Sequence, residues 1–142
     1  MAAHLDGDCI FCKITQGIIP SEKLLETEHS YAFLDIFPLS AGHCLVIPKY
    51  HAQKLHELPE EYHADVGRVL GKVARAVVSG TGCSDYNVLQ NNGVAAHQVV
   101  PHVHFHIIPK TSEAEGLGIE WPAKAADKEK LASIRESILS HL

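Results

Sequence analysis

The segment PHVHFHIIPK at residues 101–110 places a histidine at every second position, with apolar residues between them. These histidines are His102, His104 and His106. Because successive side chains of a strand point to opposite faces, the pattern predicts a strand whose three imidazoles share one face, about 6.6 Å apart at each step. Val103, Phe105 and Ile107 would then share the other face and pack beneath a helix. A slip of one residue would bury three polar rings, so the register is strongly specified.

The residues alone leave three interpretations of this histidine row open. It could be a polar, solvent-facing side of the strand that happens to use histidine. It could hold a metal ion, because imidazole is a common ligand. It could be catalytic, because a neutral imidazole can act as a nucleophile or transfer protons near neutral pH.

The remainder of the chain predicts an α+β fold. Strand patterns occupy residues 23–36 as a pair around a turn, residues 43–49 as a buried β-branched run, and residues 86–92. Apolar residues recur at helical spacing over 59–79, and a second helical pattern covers 127–142. We therefore expect an antiparallel sheet with one long helix packed on it and a C-terminal helix.

Length and composition restrict the possible functions. The chain has 142 residues, which suits one domain spanning 1–142, and 46% of its residues are hydrophobic. Its formal charge is −5 and it has no basic run, so we expect no nucleic acid as a partner. No apolar run is long enough to cross a bilayer and no secretory signal is evident, which favours the cytoplasm, with the nucleus as a second location.

Several blocks of the sequence, read in order, resemble the histidine-triad (HIT) superfamily. HVHFHII at 102–108 matches the family pattern of three histidines alternating with apolar residues, and CIFCKI, AFLDIFPLSAGHCLVIPK and NVLQNNG look like its Hint branch, the nucleoside phosphoramidases. The similarity runs from about Cys9 to Trp121, and two strings, PKYHAQKLHELP and AHQVVPHVHFHIIPK, are most like fungal members. The resemblance implies a HIT-like fold with a core at about 9–122 and an extension with a helix at 123–142.

The resemblance also implies an activity. Such proteins cleave a nucleoside 5'-monophosphate from an amine, so His104 would attack phosphorus and form a nucleotidyl-histidine that water then hydrolyses. His106 would bind the phosphate, His43 would join from a neighbouring strand, and His102 would orient His104 or bind metal. No cofactor is required for this catalysis.

The same resemblance assigns the nucleotide-binding residues. Asp35 would accept hydrogen bonds from the ribose hydroxyls, and Asn91 would reach the ribose and phosphate. The base would lie against apolar side chains, namely Ile10, Phe11, Ile14 and Ile36. In the loop before the histidine row, Val99 stands where animal members carry a serine that assists the leaving group. We expect His97 to act in its place, and Gln98 and Val99 to offer backbone N–H groups.

Cys9, Cys12, His51 and His102 match the zinc ligands of some relatives, and two thiolates with two imidazoles would form a closed structural zinc site. Family members are two-fold dimers that bind purine nucleoside monophosphates such as AMP, and Trp121 would lie by the partner's site. Two other functions remain open: hydrolysis of dinucleoside polyphosphates, and a regulatory role based on binding nucleotide or zinc.

Overall fold

The computed structural model describes residues 4–142 and contains a five-stranded antiparallel sheet. The strands are β1 (Lys23–Glu26), β2 (Ser30–Leu34), β3 (Cys44–Pro48), β4 (Tyr86–Gln90) and β5 (Phe105–Pro109). The α-helices are α1 (Ile10–Thr15), α2 (Glu60–Thr81) and α3 (Lys128–Leu139), with short 3-10 helices at Leu55–Glu57 and Val94–Ala96. The strands lie in the order β1-β2-β3-β5-β4, so the predicted α+β class is confirmed.

The strand that carries the histidine row is shorter than predicted. β5 begins at Phe105, so His106 lies within the sheet whereas His102 and His104 precede it. Pro101 has no N–H to donate, and the N–H of Val103 donates to the carbonyl of Ala52 at 2.8 Å, outside the sheet. The alternation of side chains nevertheless holds, because Val103 and Ile107 are both fully buried away from the histidines.

Helix α2 covers one face of the sheet. Its buried residues are Val66, Val69, Val73, Ala74 and Val77, which recur at the spacing of one helical face. They pack against alternate strand residues such as Val46 and Ile107. Helix α2 ends at Thr81 because Gly82 adopts a left-handed conformation, with φ of 73°.

The opposite face of the sheet is covered by α1. Phe33, Leu45 and Ile47 alternate along their strands with the residues that face α2, and they form a second apolar cluster with Phe11 and Ile14. The central strands β2 and β3 are therefore buried on both faces. The histidines of the row emerge on the α1 side, next to Leu45, which is paired with His106.

The C-terminal part of the chain lies on the surface. Every residue from 118 to 142 is exposed, including all of α3. Within residues 4–142, no helix combines the length and the apolar character needed to cross a bilayer.

Candidate active site

A tight turn between β2 and β3 delivers His43 to the histidine row. Gly42 has φ of 90°, and a Cβ placed on it would lie 2.6 Å from Cγ2 of Thr81, so only glycine fits. The buried hydroxyl of Ser40 donates to the carbonyl of Pro109 at 2.6 Å, which fixes the turn to the end of β5. His43 consequently lies beside His106, with ring centroids 5.1 Å apart.

The ring of His104 is held by the backbone of its neighbour in the row. Its Nδ1 lies 2.6 Å from the carbonyl oxygen of His102, which can only accept a hydrogen bond. Nδ1 therefore carries the proton, and Nε2 of the neutral ring carries a free lone pair. Phe11 packs its edge against the His104 ring at 5.1 Å, which restricts the ring further.

His43 and His106 form a chain of oriented hydrogen bonds. The N–H of Leu39 donates to Nδ1 of His43 at 3.0 Å, so the proton of neutral His43 resides on Nε2. That Nε2–H donates to Nδ1 of His106 at 2.9 Å, which places the proton of His106 on its own Nε2. His106 thus presents an N–H donor, whereas His104, 5.0 Å away between centroids, presents a lone pair.

Burial keeps these rings neutral. Loss of hydration lowers the pKa of His104, although its hydrogen bond to the His102 carbonyl opposes the change. Burial, reinforced by His104 and His43, lowers the pKa of His106 to about 4. Burial also lowers the pKa of His43, against the opposing charge of Asp35. The site can therefore offer an uncharged nucleophile at neutral pH.

Asp35 follows β2 directly and faces the histidines. Its Oδ2 lies 3.5 Å from Nε2 of His43, and its Oδ1 accepts the N–H of Phe37 at 2.8 Å. Each carboxylate oxygen keeps a further lone pair for a ligand hydroxyl. Ile10 and Ile36 are 47% and 79% exposed and could contact a base.

The other two apolar residues expected around the base are buried. Phe11 and Ile14 are 7% and 6% exposed and belong to the α1 cluster. Phe11 touches His104, so it still borders the site. Ile14 packs among core residues, so its side chain contributes to the stability of the fold.

The loop at 91–99 is held together by its own amides. The side chain of Gln98 accepts the N–H of Gly93 at 2.7 Å and donates to the carbonyl of Gln53 at 2.7 Å. The N–H of Gln98 donates to the carbonyl of Gly93 at 3.0 Å, so the expectation that it is free for a ligand is wrong. The N–H of Val99 has no partner within residues 4–142 and stays available.

Two further predicted residues, Asn91 and His97, lie in this loop, and a third, Trp121, lies in the exposed C-terminal segment. The amide of Asn91 donates to the carbonyl of His97 at 3.2 Å, which ties the start of the loop to its end. His97 is exposed and has φ of 68°, a left-handed conformation that is uncommon outside glycine. Trp121 is 81% exposed.

Next to this site, the structure brings together the four residues predicted to bind metal. Nδ1 of His102 lies 3.5 Å from Sγ of both Cys9 and Cys12, and Nδ1 of His51 lies 3.5 Å from Sγ of Cys12. The four ligand atoms all lie within 4.8 Å of one another. Nε2–H of His102 donates to the carbonyl of Pro48 at 2.9 Å, which turns its Nδ1 lone pair toward the sulfurs. These residues could hold a metal ion.

Sequence reasoning missed the groups that orient these ligands. Asp6 lies with Oδ2 3.7 Å from Nε2 of His51, and its N–H donates to Sγ of Cys12 at 3.4 Å. The N–H of His51 donates to the carbonyl of His4 at 2.7 Å. Backbone groups such as those of Leu39 and Pro48 carry no residue signature, whereas an acidic residue three positions before a CxxC pair was a visible signal.

The α+β fold and the histidines at 102, 104 and 106 together define a histidine-triad protein. The HIT domain family matches residues 16–113, and the chain belongs to that family. Adenosine 5'-monophosphoramidase HNT1 of Saccharomyces cerevisiae is 51% identical over 140 residues, which cover 99% of this chain and 86% of the yeast protein.

Two solved structures extend the comparison. A protein of Leishmania major is 54% identical, with a TM-score of 0.90 over 99% of this chain and 97% of the other. A HIT family protein of Bacillus anthracis is 38% identical, with a TM-score of 0.91 over 97% of this chain and 99% of the other.

Proposed function

We propose that this protein hydrolyses adenosine 5'-monophosphoramidates to AMP and an amine. One observation carries the proposal: the carbonyl of His102 fixes the tautomer of a buried, neutral His104 so that its Nε2 lone pair is free. The name of the yeast relative, 51% identical over nearly the whole chain, supports the same activity.

In the first step, Nε2 of His104 attacks the phosphorus and the P–N bond breaks. The nitrogen of the leaving group takes a proton, so an amine departs and the adenosine 5'-phosphoryl group remains bonded to His104. Nε2–H of His106, fixed by the chain from Leu39 through His43, donates to a phosphate oxygen. In the second step, water attacks the phosphorus and gives up a proton to the solvent, the bond to His104 breaks, and AMP is released with His104 again neutral.

The proton for the amine comes from the exposed side of the site. We assign its delivery to His97, because Val99 supplies no hydroxyl and His97 occupies the same loop. The free N–H of Val99 binds a phosphate oxygen. The loop would thus contribute a proton donor, the side chain of His97, and a hydrogen-bond donor to the phosphate, the N–H of Val99.

We assign recognition of the nucleoside to the first half of the chain and to the loop at 91–99. Asp35 accepts hydrogen bonds from the two ribose hydroxyls through its remaining lone pairs. Asn91 contacts the ribose and phosphate. The purine lies against Ile10, Ile36 and Phe11. Ile14 supports this wall from behind.

The variant His104→Ala tests the mechanism. Turnover of an adenosine phosphoramidate should fall by at least about 1000-fold while AMP affinity changes by less than about threefold, because only the nucleophile is removed. His56→Ala, at an exposed histidine outside the site, is the matched control and should keep full activity. A variant that retained turnover would refute the covalent route.

Intact-mass measurement gives an independent reading. Rapid mixing of wild-type protein with substrate should yield a chain heavier by one AMP group, and peptide mapping should place it on His104. A protein that binds AMP but forms no adduct and shows no turnover would instead fit the regulatory alternative.

The same protein distinguishes the second enzymatic alternative. We expect kcat/KM for an adenosine phosphoramidate to exceed that for a diadenosine polyphosphate by at least about 100-fold. The reverse order would identify a dinucleoside polyphosphate hydrolase. The leaving group can then be varied among lysine adducts, acyl-adenylates and simple amidates.

We also propose that Cys9, Cys12, His51 and His102 bind a structural zinc ion. Tetrahedral ligands at usual zinc–sulfur and zinc–nitrogen lengths would be about 3.6 Å apart, and three sulfur–nitrogen distances are 3.5 Å. Zinc would supply no step of the reaction, and would hold α1 against the segment that contains His102. Metal analysis should give about one zinc per chain, and less than about one tenth would refute the site.

We expect the protein to form a homodimer in the cytoplasm, with a nuclear fraction. β4 lies at an edge of the sheet, and its Val88 is 51% exposed, so the edge suits continuation of the sheet into a second copy. Trp121 would then approach the partner's nucleotide site. Sedimentation equilibrium should give twice the chain mass, and a single-chain mass would refute dimer formation.

A further inference from the structure

The loop that follows β5 is organised around the side chain of Lys110. The ammonium group of Lys110 donates to the carbonyls of Glu113 and Leu117 at 3.0 and 3.2 Å. Hydrogen bonds from a charged donor are stronger than those between neutral groups. No carboxylate within residues 4–142 forms an ion pair with this lysine. The ammonium group therefore sets the path of the backbone from 110 to 117.

Gly116 connects this loop to the turn between β2 and β3. Its φ is 80°, and a Cβ placed on it would lie 2.6 Å from the carbonyl oxygen of Pro109 and 3.2 Å from Cδ of Lys110. The loop thus lies directly against the end of β5 and the stem of Lys110. From this position the N–H of Gly116 donates to the carbonyl of Leu39 at 3.2 Å.

Leu39 in turn contacts the histidines of the site. Its N–H donates to Nδ1 of His43 at 3.0 Å, and Nε2–H of His43 donates to Nδ1 of His106 at 2.9 Å. We propose that Lys110 is a positioning residue for the reaction: it shapes the loop that holds Leu39, and Leu39 sets the tautomers of His43 and His106. This inference rests on the proposed phosphoramidase function.

Hydrogen bonds, more than packing, hold Leu39 in place. Its side chain is 50% exposed, so burial restrains it little. If its N–H moved away from Nδ1 of His43, the proton of that neutral ring would no longer be confined to Nε2. The proton of His106 would then lose the donor that fixes it, and only part of the molecules would present an N–H to the phosphate. Because Asp35 and the base-binding residues lie outside this chain of contacts, we expect a loss in kcat with little change in KM.

Steady-state kinetics with full-length protein test the role of Lys110. Lys110→Met keeps the alkyl stem and removes the donors, so kcat for an adenosine phosphoramidate should fall about tenfold while KM changes less than about twofold. Lys110→Arg supplies charged donors again and should recover kcat to within about threefold of wild type. Lys128→Met, at an exposed lysine of α3, is the matched control and should keep full activity. A wild-type kcat for Lys110→Met, or an arginine variant as slow as the methionine variant, would overturn the assignment.

Nitrogen NMR of the imidazoles tests the same inference without reference to turnover. In wild type at neutral pH, Nε2 of His43 should carry hydrogen and Nδ1 should not, with the signals assigned by their loss in His43→Gln. Lys110→Met should move the Nδ1 signal toward that of a hydrogen-bearing nitrogen. Gly116→Ala breaks the same contact from the other side and should produce the same change.

The two measurements separate the possible failures. Unchanged His43 signals in both folded variants would overturn the positioning role, whatever the activity. A wild-type protein with the expected tautomer, shifted in the two variants, but with no turnover of the phosphoramidate would remove the proposed function and leave the control of the His43 tautomer by Lys110 intact.

Discussion

The carbonyl oxygen of His102 lies 2.6 Å from Nδ1 of His104, while the imidazole of the same His102 points toward Cys9 and Cys12. One residue therefore contacts the proposed nucleophile through its backbone and the proposed metal through its side chain. An ion bound at the sulfurs would restrain the peptide that orients His104, without touching the substrate.

Acidification should destabilise the protein through His106. In the unfolded chain its pKa is about 6.5, and in the fold burial lowers the pKa to about 4. The unfolded state therefore binds the proton first as pH falls, so the stabilisation is complete above about pH 6.5 and is lost between about pH 6.5 and 4. His43, His104 and Asp35 face His106, and burial lowers the pKa of the first two as well.

Urea unfolding measures this effect. After allowance for the partial exposure of His106, wild type should lose about 2 kcal/mol more than His106→Gln between pH 7 and pH 4.5. The same substitution at exposed His56 should leave the wild-type pH dependence intact. Parallel pH profiles for wild type and His106→Gln would contradict the assignment.

Asp6 should support the proposed zinc site. Asp6→Asn removes the carboxylate near Nε2 of His51 and should weaken zinc binding by about 10- to 100-fold in a chelator competition assay. Asp8→Asn changes a nearby exposed residue of the same type and is the matched control. If the two variants bound zinc equally well, the role of Asp6 would be excluded.

The role of His97 can be separated from the conformation of its loop. Alanine would be strained at φ of 68°, whereas asparagine tolerates this region, so His97→Asn is the appropriate variant. Single-turnover cleavage should slow by about tenfold or more for an alkyl amine and change little for a leaving group that needs no proton. An equal effect on both substrates would indicate a general loss of loop structure instead.

The turn before His43 should not tolerate a methyl group. Gly42→Ala combines a left-handed backbone with a contact of 2.6 Å to Thr81, and we expect a loss of about 2 kcal/mol or more in unfolding free energy. Gly67→Ala lies inside α2 with open space at its Cβ, so it should stabilise by about 0.5–1 kcal/mol. Denaturant titration of the two variants measures both changes.

Periodicity predicted the fold well. Residues 59–79 were predicted as a helix and α2 spans Glu60–Thr81, because the apolar spacing and the flanking Pro59 and Gly82 are local signals. The bounds of β5 were predicted poorly, because the ladder depends on hydrogen bonds to a distant strand. Alternation of side chains persists in extended chain whether or not a neighbouring strand pairs with it.

The site, like the fold, was predictable from the sequence only in part. Side-chain chemistry and spacing brought His104, His106 and the CxxC pair to notice, and family resemblance added His43 and Asp35. Neither could predict that backbone groups of Leu39 and His102 set the tautomers, or that the N–H of Gln98 is already occupied. Such contacts depend on the path of the chain and leave no trace in residue type.

The segment at 4–8 folds over the four residues proposed to bind zinc. The carbonyl of His4 accepts the N–H of His51, and Asp6 lies beside the His51 ring. This arrangement affects how the metal content of recombinant protein should be measured. Imidazoles introduced beside this segment, as in a metal-chelating purification tag, would compete with the natural ligands, so metal content is best measured on protein whose tag lies far from it.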